Sequence, residues 1–381
     1  MTQKSICIIT ANQLETENPA RNRVISLVNG FLKQGYIVQL ISMDNDDYIL
    51  CSDKSFVHHK IPFINVKIPS FFKRALLELK LAHQVIDKAN QLSCDLNLIT
   101  IPSMFLLHLS FLLKAKGRKF LDIRDLSWEY LSDHSFVQRV SKLIFRTSAI
   151  KNFKNFDVID VTNDYELSYI QSVVPKITVF KLTNGVSEKI YNQLSALPPK
   201  KTKIDKIVVT YIGNIGLAQD LSTLVEASRK LPNFYFNVVG HGTDYQRVFG
   251  MVDKEQKNIR FWGQVNFDIL KDIYSKTDIL YAQLVPEFSG AMPSKLYEYL
   301  ATGKYVIYGG GNVAVNTLKK FENISIIESQ NTEVLISTLN KLKAQNCIEF
   351  NSKINKKVIY KDFIREKSVQ DYINFIESKL N

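Results

Sequence analysis

The chain has 381 residues, of which 45% are hydrophobic, and a formal net charge of +12 at pH 7. This length exceeds one ordinary hydrophobic core and predicts two domains. The charge is not a nucleic-acid-binding tail, because residues 1–190 contain 24 Lys and Arg against 18 Asp and Glu, and the remainder 25 against 19. The cysteines lack CxxC spacing, which argues against a disulfide framework or a zinc site: they are Cys7, Cys51, Cys94 and Cys347.

The apolar runs bear on the cellular location. The longest of them, such as 104–113, are too short to span a membrane. The N-terminus leads directly into a strand-like segment at Ser5–Thr10 and shows no secretory-signal pattern. We therefore expect a cytoplasmic protein.

Strand-like and helix-like segments alternate along the first half of the chain, which predicts a parallel sheet covered on both faces. A helix is predicted at Asn22–Lys33, where apolar residues recur at helical spacing before Gly35. The predicted strands are Ser5–Thr10, Val38–Ser42, Leu96–Ile101, Lys119–Ile123 and Val158–Thr162.

A polar, proline-containing stretch at residues 197–203 is the best linker in the sequence. A second alternating series follows it, with predicted strands at Lys206–Ile212, Phe234–Val239, Ile259–Trp262, Ile279–Gln283, Tyr305–Tyr308 and Ile324–Ile327. We expect an α/β fold with one domain at residues 1–200 and a second at 201–362. The helical segment at 363–381 is expected to pack back on the first domain.

Glycines follow three predicted strands of the second series. They lie in the sequences Gly213-Asn214-Ile215-Gly216, Gly240-His241 and Trp262-Gly263-Gln264-Val265. Glycine lets a backbone approach a ligand closely, and the carboxyl ends of parallel strands meet at one edge of a sheet. Each motif alone is compatible with a plain turn, but together they predict a ligand site. For His241 a turn residue, and for Trp262 packing, are the competing interpretations.

The segment 287–304 predicts a strand end, a small-residue loop and then a helix beginning near Lys295. Ser294 is expected to cap this helix, whose free amides and positive dipole end would bind an anion through Ser294, Lys295 and Leu296. Glu298 lies one turn further on the same face and could accept hydrogen bonds from sugar hydroxyls. An ordinary capped helix is the alternative.

In this order, the segments 211–227, 238–242, 259–263 and 293–304 look like the donor domain of retaining glycosyltransferases of family 4, which have the GT-B fold. Residues 121–129 and 183–186 resemble segments of bacterial surface-polysaccharide members, such as L-fucosamine and N-acetylhexosamine transferases. The resemblance extends from about residue 5 to residue 330. It implies two Rossmann-like parallel-sheet domains facing a cleft, the first on the acceptor side and the second binding the donor.

This resemblance implies transfer of a hexosyl or N-acetylhexosaminyl group from a nucleotide-sugar, a UDP-sugar by preference, to a lipid-linked or glycan acceptor in O-antigen or capsule biosynthesis. It implies no metal ion and no other cofactor. In the first domain, Asp122, Arg124 and Asp125 are the candidate catalytic residues. The alternation of residues along a strand places Asp122 and Arg124 on one side. A buried ion pair at the strand end is the competing interpretation.

The sequence departs from the family pattern at three positions. Gly290 stands where relatives hold a carboxylate near the donor sugar, and Glu287 is a candidate substitute. Asn214 and Gln219 stand where relatives have Arg and Lys near the diphosphate. Two other functions therefore stay open: a GT-B-fold UDP-sugar epimerase, and an inactive relative that serves as a binding partner.

Two basic, apolar-interleaved segments, 134–156 and 71–77, suggest a peripheral position at the inner face of the cytoplasmic membrane. A solvated helix face is the alternative for each. The acidic run at 44–47 resembles a metal-binding DxD motif, but we expect it to be solvated surface.

Overall fold

The computed structural model describes residues 3–15, 18–45, 48–62, 71–101, 103–129, 131, 135–199, 207–345 and 351–380. The chain forms two compact units. Unit 1 comprises Met1–Asn184 and Glu366–Asn381, and unit 2 comprises Gly185–Arg365. The end of the predicted linker, residues 200–203, lies outside the described residues.

Unit 1 is built on a parallel sheet of seven strands in the order β3-β2-β1-β4-β5-β6-β7. The strands are β1 (Ser5–Thr10), β2 (Ile37–Ser42), β3 (Phe56–Lys60), β4 (Leu96–Ile101), β5 (Arg118–Ile123), β6 (Val158–Val161) and β7 (Thr178–Lys181). The helices are α1 (Pro19–Lys33), α2 (Phe71–Asn90), α3 (Met104–His108), α4 (Phe136–Phe153), α5 (Asp164–Val173) and, from the end of the chain, α14 (Arg365–Leu380).

Apolar side chains of unit 1 form two core clusters. One contains side chains of β1, β4 and β5 with those of α2, α3 and α4. The other joins the sheet to α1 and α14, and Val369, Tyr372 and Ile373 of α14 are fully buried in it. The two helices pack closely, since a Cβ on Gly30 would lie 2.4 Å from Cγ1 of Val369. The C-terminal helix is therefore part of the core of unit 1.

Unit 2 is built on a parallel sheet of six strands in the order β10-β9-β8-β11-β12-β13. The strands are β8 (Ile207–Ile212), β9 (Phe234–Val239), β10 (Ile259–Gly263), β11 (Ile279–Gln283), β12 (Tyr305–Gly309) and β13 (Ile324–Ile327). The helices are α6 (Glu188–Ser195), α7 (Ser222–Lys230), α8 (Tyr245–Gly250), α9 (Phe267–Lys276), α10 (Lys295–Thr302), α11 (Asn312–Leu318), α12 (Thr332–Ala344) and α13 (Lys353–Asp362).

The division between the units falls after Asn184 rather than at residue 200. The reason is α6, which packs on α10 and α13: its Leu194, and Leu197 just after it, are buried in the core of unit 2. A backbone bridge between Val186 and Ile364 also joins the two ends of unit 2.

The prediction of two parallel-sheet α/β domains is confirmed. All six strands of unit 2 are found where the sequence predicts them, and so are five of unit 1. The remaining strands, β3 and β7, are the edge strands of unit 1 and were not predicted from the sequence. No helix in the described parts of the chain is long and apolar enough to cross a membrane.

Candidate functional site

The strand order of unit 2 reverses direction at the neighbouring strands β8 and β11. The loops that leave the carboxyl ends of these two strands run to opposite sides of the sheet. Such a point opens a crevice at the carboxyl edge, where open α/β sheets bind their ligands. The predicted donor residues lie in the loops and the helix that follow β8, β9, β10 and β11.

The three glycine-bearing strand ends are joined to one another through main-chain hydrogen bonds. The amide of Gly213 donates to the carbonyl of Val239 at 3.0 Å, and the amide of Gly240 to that of Gly263 at 2.8 Å. Gly240 has a φ of +126°, and a Cβ there would lie 1.9 Å from the oxygen of Gly213. Only glycine fits at Gly240, so backbone rather than side chains forms this part of the edge.

Polar but uncharged side chains hold the loop after β8. Oε1 of Gln219 accepts hydrogen bonds from the amide of Gly216 at 3.2 Å and from Nδ2 of Asn214 at 3.4 Å. Asn214 is exposed. An anion bound here would therefore meet main-chain and side-chain amide groups rather than a cation.

A buried glutamine, which the sequence analysis missed, joins this loop to the end of β11. Nε2 of Gln283 donates to the carbonyls of Gln219 at 3.0 Å and Asp220 at 2.8 Å. Its Oε1 accepts from the hydroxyl of Tyr281 and from the amide of Gln330. Because every hydrogen-bonding group of this amide is used, Gln283 is a positioning residue for both loops.

The helix α10 begins at Lys295 as predicted, but Ser294 does not cap it. Ser294 has helical φ and ψ angles of −61° and −29°, and its side chain makes no capping hydrogen bond. The amide of Leu296 is not free either, because it donates to the carbonyl of Pro293 at 3.1 Å, and the Leu296 side chain is buried. In the described part of the chain, the amides of Ser294 and Lys295 bind no backbone acceptor. These two amides and the Ser294 hydroxyl remain for an anion.

Glu298 lies one turn into α10, paired with a cation. Nζ of Lys295 is 2.7 Å from both of its carboxylate oxygens, and the hydroxyl of Tyr274 donates to Oε2 at 3.2 Å. Burial, and then the nearby Glu298 charge, raises the pKa of Tyr274 well above its usual value, so this hydroxyl stays protonated. The site thus presents an ammonium group and an oriented carboxylate side by side.

A second buried tyrosine fixes this helix to the sheet. The hydroxyl of Tyr299 donates to the carbonyl of Ile212 at 2.9 Å and accepts from the amide of Ile212 at 2.7 Å. Ile212 is the last residue of β8 and immediately precedes Gly213. The start of α10 is therefore held in register with the glycine loop.

Two aromatic residues of the prediction are already engaged with protein groups. Nε1 of Trp262 donates to Asn237 at 2.9 Å, and the guanidinium of Arg260 lies 3.6 Å from the centroid of the indole. The ring of His241 stacks on Tyr245 at 4.7 Å. These contacts favour the packing interpretation for Trp262 and the turn interpretation for His241.

The remaining predicted donor residues differ in exposure. Gln264 is exposed, whereas Val265 packs against the core of unit 2. Glu287 is exposed in a short 3-10 turn, and Gly290 follows this turn in the loop that leads to α10. Among the described hydrogen bonds and ion pairs, none joins the Glu287 side chain to Glu298 or its helix α10.

In unit 1, Asp122 is fully buried and its carboxylate is committed to Arg23. Nη2 of Arg23 lies 2.6 Å from Oδ1 and Nε lies 3.3 Å from Oδ2, while Thr100 donates to Oδ2 at 2.8 Å. Arg23 also donates to the carbonyl of Leu182 at 2.9 Å. This geometry favours the competing interpretation for Asp122, a buried ion pair at the strand end, because a buried carboxylate with these partners holds the strand ends together.

Arg124 and Asp125 follow β5 at the carboxyl edge of the unit 1 sheet. Burial lowers the pKa of Arg124, and its Nε is buried with no hydrogen-bond partner. Burial also raises the pKa of Asp125 to about 6, against the opposing effect of the Arg124 charge. These two residues therefore remain the candidates in unit 1, with a carboxyl group that titrates near neutral pH.

Glu166, in the first turn of α5, is a further buried acid at this edge, and the sequence analysis missed it. Its Oε2 accepts from the amide and the hydroxyl of Thr162, at 2.7 Å and 2.8 Å, while Oε1 is buried without a partner. Burial raises its pKa to about 8, although the Thr162 hydrogen bonds oppose this shift. Glu166 is therefore predominantly uncharged at neutral pH.

The acidic run after β2 differs from its prediction. Asp44 is buried, and its Oδ1 accepts from the amides of Leu14 at 2.9 Å and Glu15 at 3.2 Å. Asp46 and Asp47 lie outside the described residues. Asp44 is thus a structural anchor for the loop after β1 and not solvated surface. Across the described ranges, no group of three or more His, Cys, Asp or Glu side chains is placed to hold a metal ion.

Solved structures resemble the whole chain. Sucrose-phosphate synthase from Thermosynechococcus elongatus is 14% identical over 99% of both chains, with a TM-score of 0.80. A trehalose-6-phosphate protein from E. coli, solved with UDP-2-fluoro glucose, is 11% identical over 98% of both chains, with a TM-score of 0.72. Anabaena HepE, solved with UDP and glucose, is 13% identical over 99% of both chains, with a TM-score of 0.68. The fold is GT-B.

One family description also matches part of the sequence. The family Glycosyl transferases group 1 matches residues 196–360, which lie within unit 2. No curated protein shows significant sequence similarity to the chain. The part of the sequence that this family description matches therefore lies in the unit that carries the glycine loops and α10.

Proposed function

We propose that this GT-B protein is a retaining glycosyltransferase of family 4. It would transfer a hexosyl or N-acetylhexosaminyl group from a UDP-sugar to a lipid-linked or glycan acceptor in surface-polysaccharide biosynthesis. The group 1 match and the neighbours solved with UDP or a UDP-sugar support the donor class. The acceptor, the linkage chemistry and a peripheral place at the inner face of the cytoplasmic membrane rest on the resemblance and on the surface of unit 1.

The observation that carries the proposal is the start of α10. Two free amides, the Ser294 hydroxyl and the Lys295 ammonium meet at one helix N-terminus, which the Tyr299 hydroxyl holds beside the glycine loop. A helix N-terminus favours bound phosphate through its amides and its dipole. Glu298, one turn away, offers carboxylate oxygens to ribose hydroxyls. A diphosphate next to a ribose matches this order of groups.

The same groups suit the chemistry of transfer. Negative charge develops on the leaving diphosphate as the glycosidic bond breaks, and oriented amides with a nearby ammonium stabilise it where it forms. We expect no metal ion to be required, and EDTA should leave the rate unchanged. On the acceptor side, Asp125 and Arg124 are the residues that we propose for unit 1.

Donor binding gives the first test. Calorimetric titration with UDP, and with ADP and GDP for comparison, should show binding with UDP preferred. Glu298→Gln keeps an acceptor for the Tyr274 hydroxyl but removes the charge, and it should weaken UDP binding at least about tenfold. Glu255→Gln, an exposed glutamate elsewhere in unit 2, is the matched control and should bind as the parent does. Unchanged or tighter UDP binding by Glu298→Gln would mean that Glu298 only pairs with Lys295.

Turnover separates the proposed transferase from the alternatives. UDP release from a panel of UDP-sugars should be slow alone and should accelerate when lipid extract supplies an acceptor. An epimerase would instead change the sugar without any acceptor. A protein that binds no UDP would be the inactive relative that Gly290, Asn214 and Gln219 leave open.

A further inference from the structure

The helix α4 exposes a row of large apolar side chains on its solvent-facing side. Phe136 is 78% exposed, Val137 68%, Leu143 64%, Ile144 60% and Val140 39%. Residues three, four and seven apart lie on one side of a helix, so these five form a continuous stripe, the α4 face. A contiguous exposed apolar surface marks an interaction site.

The rest of α4 is well anchored in unit 1. Ala149 and Phe153 are buried in the core, and the ring of Phe145 lies 5.9 Å from that of Phe105. A capping box between Ser135 and Gln138 closes the N-terminus of the helix. The α4 face is therefore held out towards solvent by a helix that is stable without it.

The charges around the α4 face indicate what it binds. Residues 135–156 contain no Asp or Glu, and their basic residues are Arg139, Lys142, Arg146, Lys151 and Lys154. By helical spacing, Arg139, Lys142 and Arg146 follow one flank of the stripe, while Lys151 and Lys154 continue its line. Arg146 is half-exposed and 3.4 Å from Glu129. Apolar side chains beside cations match a surface that offers hydrocarbon and phosphate together.

The helix α2 also exposes apolar side chains. Leu76 and Leu79 of α2 are exposed, by 68% and 36%, and α3 packs between α2 and α4. A groove of about 400 Å³ is lined by Leu76, Leu79, Lys80, His83, Gln84 and Leu109. The side chains of Phe71, Phe72 and Arg74, part of the second basic segment, lie outside the described residues.

We propose that the α4 face docks unit 1 on an anionic phospholipid bilayer, with its apolar residues in the headgroup region and its basic residues on lipid phosphates. This inference rests on the proposed function only in that the lipid-linked acceptor would be met at the same surface. Docking needs neither donor nor acceptor, so it can be measured without them.

The test is co-sedimentation of the full chain with vesicles of phosphatidylcholine, alone or mixed with phosphatidylglycerol. The parent should sediment with the mixed vesicles, and less so as salt rises, because surface charge is screened. Val137→Ser/Leu143→Ser/Ile144→Ser should lower the partition constant at least about tenfold. The control Ile49→Ser/Ile269→Ser/Ile326→Ser removes three exposed apolar residues elsewhere and should bind as the parent does.

A charge variant provides an independent arm. Lys151→Gln/Lys154→Gln should weaken binding about fivefold for each charge removed, whereas Lys254→Gln/Lys271→Gln should not. Parent protein that stays in the supernatant, or that binds neutral and anionic vesicles alike, overturns the proposal. A parent protein that forms a dimer and does not bind vesicles also overturns the proposal. If the triple serine variant is then monomeric, the α4 face binds a second copy of the chain.

Titration of the same variants with UDP keeps the two proposals distinguishable. All of them should bind UDP as the parent does, because no substituted residue belongs to the glycine loops or to α10. Vesicle binding without UDP binding would overturn the proposed function alone. UDP binding without vesicle binding would overturn the docking proposal, and with it the peripheral membrane position, but not the proposed sugar transfer.

Discussion

The two sheets share a strand order around their first strands, β3-β2-β1-β4 in unit 1 and β10-β9-β8-β11 in unit 2, but their carboxyl edges are built differently. In unit 1 the edge contains buried charged and titratable side chains, with the Arg23–Asp122 pair at its centre. In unit 2 it consists of main-chain atoms at Gly213 and Gly240, with exposed polar side chains around them.

This difference indicates that the edge of unit 1 has a structural role, whereas the edge of unit 2 is suited to binding an anion. A buried guanidinium with two carboxylate contacts and carbonyl partners is a structural ion pair, because removing one partner leaves a poorly compensated buried charge. Amides at a helix start and in glycine turns have spare hydrogen-bonding capacity for an anion. We expect variants of the two edges to follow this contrast, and a reversed result would weaken it.

The largest effect on stability is expected at the Arg23–Asp122 ion pair of unit 1. Asp122→Asn removes the carboxylate that pairs with the buried Arg23 guanidinium and should lower the free energy of unfolding by about 3–5 kcal/mol. Urea titration followed by circular dichroism measures it. Asp164→Asn breaks the exposed pair with Lys181 and should cost less than about 1 kcal/mol. Equal losses of unfolding free energy in the two variants would show that the Arg23–Asp122 ion pair is not a major structural contact.

The next effect is at the backbone edge of unit 2. Gly240→Ala places a Cβ against the Gly213 oxygen and forces alanine to a φ of +126°. Strain and overpacking each cost about 1–3 kcal/mol, so we expect unfolding to become easier and UDP binding to be lost. Gly250→Ala, where a Cβ meets nothing within 4 Å, is the matched control and should bind UDP normally. Retained UDP affinity in Gly240→Ala would remove the glycine loop from the donor site.

A pH effect is expected at Glu166. Its pKa is about 8 when folded against an ordinary value of 4.5, so between these values the folded state holds a proton that the unfolded state has lost. The free energy of unfolding should therefore fall as pH rises through that window. Glu166→Gln should match the parent below the unfolded pKa of 4.5 and become progressively more stable than the parent as pH rises to about 8.

Thermal melts of parent and variant across pH measure this difference. Glu188→Gln changes an exposed first-turn glutamate of α6 and should leave the parent's pH dependence unchanged. A Glu166→Gln variant whose stability follows the parent at every pH would show that this glutamate is charged when folded.

The smallest stability change is expected at the start of α10. Because Ser294 makes no capping bond, Ser294→Ala should change the free energy of unfolding by less than about 0.5 kcal/mol while lowering UDP affinity several-fold. Asn266 caps α9 through a 3.0 Å bond to the amide of Ile269, so Asn266→Ala should cost about 1 kcal/mol and leave UDP binding intact. A loss of stability with unchanged UDP affinity in Ser294→Ala would show that Ser294 caps α10.

The sequence predicted the central strands of both sheets because their residues are buried on both faces and read as continuous apolar runs. The missed strands β3 and β7 are edge strands of partly exposed residues, and two adjacent histidines interrupt the apolar pattern of β3. An edge position alone does not explain the miss, because β10 and β13, the edge strands of unit 2, are equally exposed and were predicted.

The candidate site was predictable where backbone forms it and not where distant side chains meet. Strand-end glycines and the start of α10 follow from local sequence. The partners of Gln283 and of Asp122 do not, since Arg23 lies 99 residues before Asp122. The missing Ser294 cap depends on a backbone conformation that residue type alone does not determine, because serine is compatible with both.

The placement of α14 has a consequence for biosynthesis. Unit 1 needs Val369, Tyr372, Ile373 and Ile376 to complete one face of its sheet, whereas unit 2 is a continuous stretch of chain. Synthesis therefore supplies the last core residues of unit 1 only after every residue of unit 2, and α14 cannot cover the apolar side of α1 until the chain has passed residue 376.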